Sequence, residues 1–547
     1  MITKSEFRNS LAENVFNCKY RHEGCETWEK LSRSVVNEVC LEMREDEKNA
    51  LANFIVEKKF IPGGRYLYYT NRGVKYYNNC YLFKSEEDTR EDWADLVYKV
   101  QSALASGGGI GNDYSIYRRE GAPLKRTGGL ASGPIKAMKI VNEIGRYVQQ
   151  GGSRRSAIWA GLRWNHADAH KMLRVKDWNS QVIPGTSTTY GEAKQRDFTL
   201  SAPLDCTNIS IIYNTEWLEN YKKTGEVGDI FRENAKYAMM NGEPGFSMNF
   251  YDKEHETARN ACCEITSEDD SDVCNLGSIN LAEIDSIDEL RSVVELATKF
   301  LLLGTLRSQL PFDKIYETRK KNRRLGLGIM GIHEWLLMRN YGYEVSDELH
   351  EWLTVYRDIS DKIANDYADE LNISRPVAKR AVAPTGTIGI LAGTTTGIEP
   401  IYSVAYKRRY LRNNEWHCEY IVDSTAKYLI EERGIHPDSI ETSIDLAQNY
   451  EKRIKFQYDV EKYIDQAVSS TINLPRWGSE HNNEDKVENF VQCIAKYAHG
   501  LRGITCYPDG ARGGQPIVPC SYEEAMAKQG QVFVEAHNMC KGGVCGA

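Results

Sequence analysis

The sequence of 547 residues has no apolar run of about 18 residues or more, which excludes a transmembrane helix. Its opening residues, MITKSEFRNS, lack the apolar stretch of a secretory signal, so a cytoplasmic, reducing setting is expected. Positive charge is not in excess: 69 Lys and Arg face 77 Asp and Glu, a net charge of −8. Neither a duplex nucleic acid nor a membrane is therefore an expected partner. There is no C-x2-C pair. His166 and His170, four apart on an expected helix, have no third ligand near them, so no metal site is expected. GGGIGN (107–112) lacks the Lys-Ser/Thr ending of a phosphate-binding P-loop. No short repeat and no low-complexity block interrupts the chain, and aromatic residues at 10% exclude disorder as its main theme.

What remains reads as an α/β protein. Residues 1–60 are expected to be helical, with Leu31, Val35, Val36 and Val39 at helical spacing, and IPGG (61–64) breaks the pattern. From about 61 to 515 short apolar segments, such as YLYYT, NNCYLF, NISIIY and GFSMNF, alternate with amphipathic helices. PIKAMKIVNEIGRYVQQ (134–150) opens on Pro and closes before Gly151, the pattern of a helix. The acidic run SEDDSD (267–272) is expected to be a solvated loop. Residues 516–547 end in CKGGVCGA, too Gly-rich for a helix, and are expected to form a flexible tail. GLGIMG (326–331) fits G-x-G-x-x-G literally, but KKNRRL precedes it where a dinucleotide fold requires a hydrophobic strand.

The 14 cysteines are the central question. In a reducing compartment they serve as fillers, ligands or redox groups rather than staples. Cys18, Cys25, Cys40, Cys206, Cys418, Cys493 and Cys520 have undistinguished neighbours and are expected to be buried fillers. Three clusters differ. NNCYLF puts Cys80 in a strand-like segment behind Asn78 and Asn79, and CNLGSIN puts Cys274 at the head of another. NACCEI places Asn260, Cys262 and Glu264 at alternating positions, which an extended chain would present on one face. Cys540 and Cys545 stand on the Gly-rich end, where a dithiol suits thiol–disulfide exchange with a partner. In APTGTIGI (383–390), hydroxyls and backbone N–H groups gather where a helix opens, an arrangement that can hold a phosphate.

In order, NNCYLF, SGGGIGNDYS, TGGLASGP, QQGGSRRSA, NACCEI, CNLGSIN, RRLGLGIMGIHEWL, APTGTIGILAGTTTGIEP and GITCYPDGARGGQP resemble the catalytic chain of ribonucleotide reductases over about 60–515, together with the cysteine tail. The resemblance implies a ten-stranded α/β barrel of two five-stranded halves with a central finger loop, preceded by a small helical N-terminal region. It divides the chain into 1–60, the barrel 61–515 and the redox tail 516–547. It implies that Cys262 forms a thiyl radical that takes the ribose 3′ hydrogen, that Glu264 is the base for the 3′ hydroxyl, and that Asn260 holds the substrate. Cys80 and Cys274 would supply two reducing equivalents and close into a disulfide. Cys540 and Cys545 would reopen it and be reduced by thioredoxin or a glutaredoxin-type donor. Thr385, Gly386, Thr387 and Ile388 would hold the phosphates, and Asn79 and Gly109 the ribose. Gly152, Ser153, Arg154 and Arg155 would belong to the loop that reads the base and reports a deoxynucleotide effector.

The radical source separates the classes of this family. The class with a separate metal-bearing subunit uses a Tyr-Tyr pair, and here Cys506 precedes Tyr507. The glycyl-radical class needs an R-V-C-G-Y-like end, which GGVCGA lacks. GITCYPDGARGGQP, SSTINLP and IPGGRYL are most similar to the adenosylcobalamin class, which implies that cofactor and, from single-chain members, ribonucleoside 5′-triphosphates as substrate. No D-x-H-x-x-G cobalamin-ligating signature is present. The alternatives are a large subunit served by a metal-bearing partner, a diphosphate substrate, and a nucleotide-binding relative without catalysis. Cys263, where the family has Gly, Leu or a similar residue, is expected to be a filler. Both a monomer and a homodimer through the 134–150 helix fit the resemblance.

Overall fold

The computed structural model describes residues 6–125, 128–148, 156–197, 200–412, 415–511, 517–529 and 531–534. Among them no helix is long and apolar enough to cross a membrane. The chain opens with helices α1 (Ser10–Lys19), α2 (Trp28–Val39) and α3 (Glu45–Val56). In α2 the Thr27 side chain accepts from the Lys30 N–H, and the buried stripe is Trp28, Leu31, Val35, Val36 and Val39. The expected helical region is thus three helices. YLYYT, which reads as a strand, lies largely in the short helix Gly64–Tyr69.

The barrel strands follow: β1 (Phe60–Pro62), β2 (Cys80–Lys84), β3 (Gly109–Asp113), β4 (Ile158–Arg163), β5 (Thr207–Tyr213) and β6 (Gly245–Met248). A small hairpin, β7 (Ala258–Arg259) and β8 (Thr266–Ser267), leads into β9 (Asp272–Asn280) and β10 (Leu325–Met330). After a peripheral hairpin, β11 (Ala405–Arg412) and β12 (Glu415–Val422), come β13 (Thr471–Leu474) and β14 (Gly503–Pro508), then β15 (Ile517–Cys520) and β16 (Val532–Val534).

The main sheet runs β1-β9-β2-β3-β4-β5-β6-β14-β13, with β10 also on β9. Strands β2 to β6 are mutually parallel, as are β9 with β10 and β13 with β14. The two groups meet in antiparallel pairs, β2 with β9 and β6 with β14. The segment 380–382 completes the ring. Leu327 bridges to Arg380 and Val382 to Val468, both parallel. The Val382 N–H donates to Ala467 O at 3.1 Å, and the Ser469 N–H donates to Val382 O at 2.8 Å. Ten staves therefore close into a barrel of two parallel five-stranded halves, with β1 outside the ring on β9. Closure leaves no open edge between the halves.

Helices cover the outside in two cores. One core gathers Arg90–Ala105, Pro134–Tyr147, Asp229–Asn241 and Val487–Tyr497 on the first half and on β13 and β14, and the other gathers α2, α3, Ile287–Arg307 and Asp347–Glu370 on β9 and β10. The barrel interior holds a separate cluster that includes Cys80, Leu82, Ala258, Ile265, Cys274 and Leu276. The β7–β8 finger runs through this interior. Its backbone passes so close to β3 that a Cβ at Gly111 would stand 2.0 Å from the Arg259 carbonyl oxygen, which explains a glycine in a buried strand.

GLGIM (326–330) lies within the fully buried stave β10. Two expectations are corrected. SEDDSD is solvated only at Glu268 and in part at Asp269: Asp270 and Asp272 are buried, Asp270 beside Lys99 and Lys314 and Asp272 beside Arg324, because cations from three separate helices or loops turn inward to meet them. The region expected to be a free tail from 516 forms β15, the helix Tyr522–Lys528 and β16 through residue 534. These pack on β11 and β12 in a four-stranded sheet, with Ala525 buried against Ala405 and Val422.

Candidate active site

A cavity of about 360 Å³ opens at the barrel end where β2, β3 and β4 begin and the 380–382 stave ends. The finger tip contributes Asn260, Ala261, Cys262 and Glu264; the strand starts contribute Asn79, Cys80, Gly109 and Ala157. Leu276 and Ser278 of β9 and the loop Ala383–Ile388 complete the walls, with Tyr20, Gly63 and Gly64 from the N-terminal side.

The finger tip is a tight turn rather than an extended segment. The Cys263 N–H donates to Asn260 O at 3.1 Å, and Cys263 takes a left-handed backbone with φ of 67°. Asn260, Cys262 and Glu264 all line the cavity even so, because the turn, not strand alternation, brings them to one side. Asn260 is the brace: its Oδ1 accepts the Ile265 N–H at 3.0 Å, closing the turn, and its Nδ2 donates to Cys80 Sγ at 3.0 Å.

Cys80 and Cys274 stand directly opposite on the antiparallel pair of β2 and β9. Facing residues on such a pair have Cα atoms about 4.5–5.5 Å apart, within the range a disulfide spans. Both are buried free thiols. Burial, with Glu264 and the neighbouring thiols adding to it at Cys80, raises both well above the ordinary thiol range. They are therefore held as S–H, the form that donates hydrogen, and not as thiolate nucleophiles.

Glu264 is buried and its carboxyl is pushed up to about 7 by desolvation, offset in part by hydrogen bonds from Asn260 and from the Cys80 thiol, which lies 3.7 Å from Oε1. Its Oε2 and the Asn79 Oδ1 are buried with no partner among the described residues. A base poised near neutral pH with an open acceptor, beside a cavity, has the properties of a proton acceptor for a bound hydroxyl. Cys262 alone of these thiols is exposed, at the cavity. Its neighbour Cys263 is pushed up to about 12 by burial and lies within the field of Arg259 and Glu243, outside the cavity lining.

At the far wall Thr385 has φ of 49°, and its hydroxyl accepts the Gly397 N–H at 2.8 Å, so this side chain shapes the loop. A Cβ on Gly386 would meet nothing within 4 Å: this backbone faces open space. The sequence reading missed Tyr20, Gly63, Gly64, Ala157 and Ser278. Gly63 and Gly64, Ala157 and Ser278 lie in the motifs IPGGRYL, QQGGSRRSA and CNLGSIN but are not singled out there, and Tyr20 lies in none. Cys540, Cys545, Gly152, Ser153, Arg154 and Arg155 lie outside the described residues.

Of the cysteines expected to be fillers, Cys25, Cys40 and Cys493 are buried, Cys206, Cys418 and Cys520 are half-buried, and Cys18 is exposed. His166 is bonded through Nε2 to Tyr117 O and His170 through Nδ1 to Glu233. Cys506 points into the outer core, away from the barrel interior. A second cavity of about 220 Å³, where β13 and β14 end, is lined by Tyr402, Gln448, Asn473 and Tyr507 among others, and Tyr402 lies within the field of Tyr507.

Residues 78–356 and 377–507 match the family model described as ribonucleotide reductase, barrel domain. A vitamin B12-dependent ribonucleoside-diphosphate reductase of Mycobacterium tuberculosis is 25% identical over 556 residues, covering 90% of this chain and 74% of the relative. A putative adenosylcobalamin-dependent ribonucleoside-triphosphate reductase of Mycobacterium phage D29 is 28% identical over 380 residues, covering 59% of this chain and 52% of the relative. In fold, the chain is similar to the Actinobacillus ureae class Id ribonucleotide reductase alpha subunit, with a TM-score of 0.69 at 16% identity over 93% of this chain and 98% of that one.

Proposed function

The chain belongs to the ribonucleotide reductase family, whose barrel domain fills most of it, and from that premise we propose that it reduces ribonucleoside 5′-triphosphates to 2′-deoxyribonucleotides through a thiyl radical on Cys262, with adenosylcobalamin as cofactor. The observation that carries this reading is the convergence of Cys262, Glu264, Asn260 and Cys80 on one cavity, with Cys274 facing Cys80 behind it.

Cys262, once oxidised by one electron, takes the hydrogen atom from C3′ of the ribose. Glu264 accepts the proton of the 3′ hydroxyl through its open Oε2. The 2′ hydroxyl leaves as water, and Cys80 and Cys274 give up two protons and two electrons as their S–S bond forms. Cys262 then returns the hydrogen to C3′, so substrate and two thiols become deoxynucleotide, one disulfide and water. Asn260 fixes the finger turn and keeps Cys80 against it. Cys540 and Cys545 reopen the disulfide by exchange and pass the electrons on to a thioredoxin-type donor.

Bound adenosylcobalamin supplies one-electron chemistry that no side chain here offers. The chain fits it in one respect that matters: the Cys262 thiol is exposed, open to a group too large to enter a cavity of about 360 Å³. Of the relatives with a vitamin B12 or adenosylcobalamin name, those of Mycobacterium tuberculosis and Thermoplasma acidophilum are described as diphosphate reductases and that of Mycobacterium phage D29 as a triphosphate reductase.

One observation favours a second reading, a large subunit served by a metal-bearing partner. Tyr402 and Tyr507 share the wall of the second cavity, so two phenols adjoin in space although Cys506 separates the pattern in sequence. The purified chain, mixed anaerobically with adenosylcobalamin, a ribonucleoside triphosphate and dithiothreitol, separates the two. Deoxynucleotide formed by this chain alone supports the cobalamin reading. Product only with a metallated subunit supports the second.

A further inference from the structure

The cavity wall offers hydroxyls and backbone N–H groups but no cation. None of the described residues lining it is Lys, Arg or His, and its one carboxylate is Glu264. The nearest candidate charge comes from α1. This helix lies along the helix Gly386–Ala392 and is fastened at its start. There the Arg8 guanidinium donates to Gly393 O at 2.8 Å, pairs with buried Glu334 at 2.6 Å and with Glu283, and lies over the Tyr428 ring. The other end of α1 reaches the opposite end of that helix. Tyr20 forms part of the cavity wall, and the Lys19 ammonium lies 3.5 Å from the Thr387 hydroxyl at its rim. Among the described residues no carboxylate stands within 4.0 Å of Lys19, although most lysines of this chain have one. An exposed ammonium held at a cavity rim against a neutral hydroxyl has its charge left to meet a ligand.

We propose that Lys19 is the phosphate-reading cation of this cavity, set to contact the outer phosphates of a nucleotide whose ribose lies at Cys262 and Glu264. The inference rests on the nucleotide-reducing function proposed above. Its consequence is specificity: the inner phosphate meets the Thr385–Ile388 loop, while each further phosphate extends toward the rim and Lys19. The benefit of Lys19 should thus be larger for a triphosphate than for a diphosphate. The Arg8 anchor makes α1 a wall of the substrate site rather than an appendage, because it fixes where Lys19 can reach.

The test uses the full chain with Lys19→Met and Lys19→Arg. Equilibrium binding of a ribonucleoside triphosphate and the matching diphosphate is measured without reductant, and KM is measured in turnover. Lys19→Met should weaken triphosphate binding by roughly tenfold, the size of one charge-assisted contact, and diphosphate binding by less. Lys19→Arg should restore most of it, and the wild-type advantage should shrink as salt is raised. Equal affinities of wild type and Lys19→Met for both nucleotides overturn the proposal. So does an equal loss for the two nucleotides, or a loss that Lys19→Arg fails to rescue, as a purely structural role would give. A wild-type chain that binds triphosphate in this Lys19-dependent way but forms no deoxynucleotide refutes the proposed function and leaves this inference standing.

Discussion

Glu264 is where residue-level chemistry has the sharpest consequence. Its carboxyl holds a proton up to about pH 7, against 4.5 for the ordinary group, because burial disfavours the charge. A base must be ionised to act, so kcat/KM should rise as pH passes up through about 7. Stability runs the other way. The folded chain binds this proton in a range where the unfolded chain has released it, so the contribution is full below about 4.5 and is lost as pH rises through about 7. Glu264→Gln is expected to lower kcat by roughly 10²–10⁴-fold. The same variant should be more stable than wild type at pH 8, by on the order of 2–3 kcal/mol at most, in denaturant unfolding. A flat pH–rate profile between 6 and 8, or a Glu264→Gln chain that keeps its rate, would remove Glu264 from the mechanism.

Among elements, the finger depends most on a single atom that is absent. At Gly111 the nearest contact for an added Cβ is a backbone oxygen, 2.0 Å away, which cannot swing aside as a side chain can. Gly111→Ala must therefore shift β7 or β3. A displacement near 1 Å at the reacting group costs roughly 10²-fold in rate, and this loss should appear with a lowered Tm. Gly109→Ala, whose Cβ would meet the Ala261 Cβ at 3.2 Å, should cost less. A Gly111→Ala chain with wild-type rate would mean that the finger is not held where the structure has it.

The same element shows what the sequence could and could not tell. Asn260, Cys262 and Glu264 were legible as a set because their chemistry is unusual at any spacing. The reason offered by alternation was wrong, since the tip is a turn whose geometry depends on Asn260 bonding across it. Cys80 and Cys274 were legible as strand cysteines, but that they face each other is a matter of register between segments nearly two hundred residues apart. SEDDSD misled because charge density marks solvent only when no cation is folded in beside it. Tyr20 and Lys19 gave no signal, because an ordinary amphipathic helix becomes part of a site only by docking.

For the whole molecule, alternating strand and helix patterns gave α/β, and the barrel itself came from resemblance. Closure is not written in periodicity: the stave that completes the ring, 380–382, makes only isolated bridges and lies between a helix and a loop-like APTGT stretch. That stave is also the simplest global test. Val382→Pro removes the N–H that donates to Ala467 O and leaves that buried carbonyl without its partner, which is expected to destabilise the chain by about 1–3 kcal/mol. Because the stave runs straight into Ala383–Ile388, nucleotide binding should weaken with it. Unchanged unfolding and binding in this variant would show that the ring is not closed there.

The most direct trial of the mechanism is a single turnover without external dithiol, followed by mapping of the cysteines. Wild type, given cofactor and ribonucleotide, should form deoxynucleotide in proportion to protein while a disulfide between Cys80 and Cys274 appears. Cys262→Ser should form none and retain both thiols. Product from Cys262→Ser, or product from wild type with Cys80 and Cys274 still reduced and no disulfide elsewhere in the chain, would refute the assignment of the oxidant to Cys262 and the electrons to that pair.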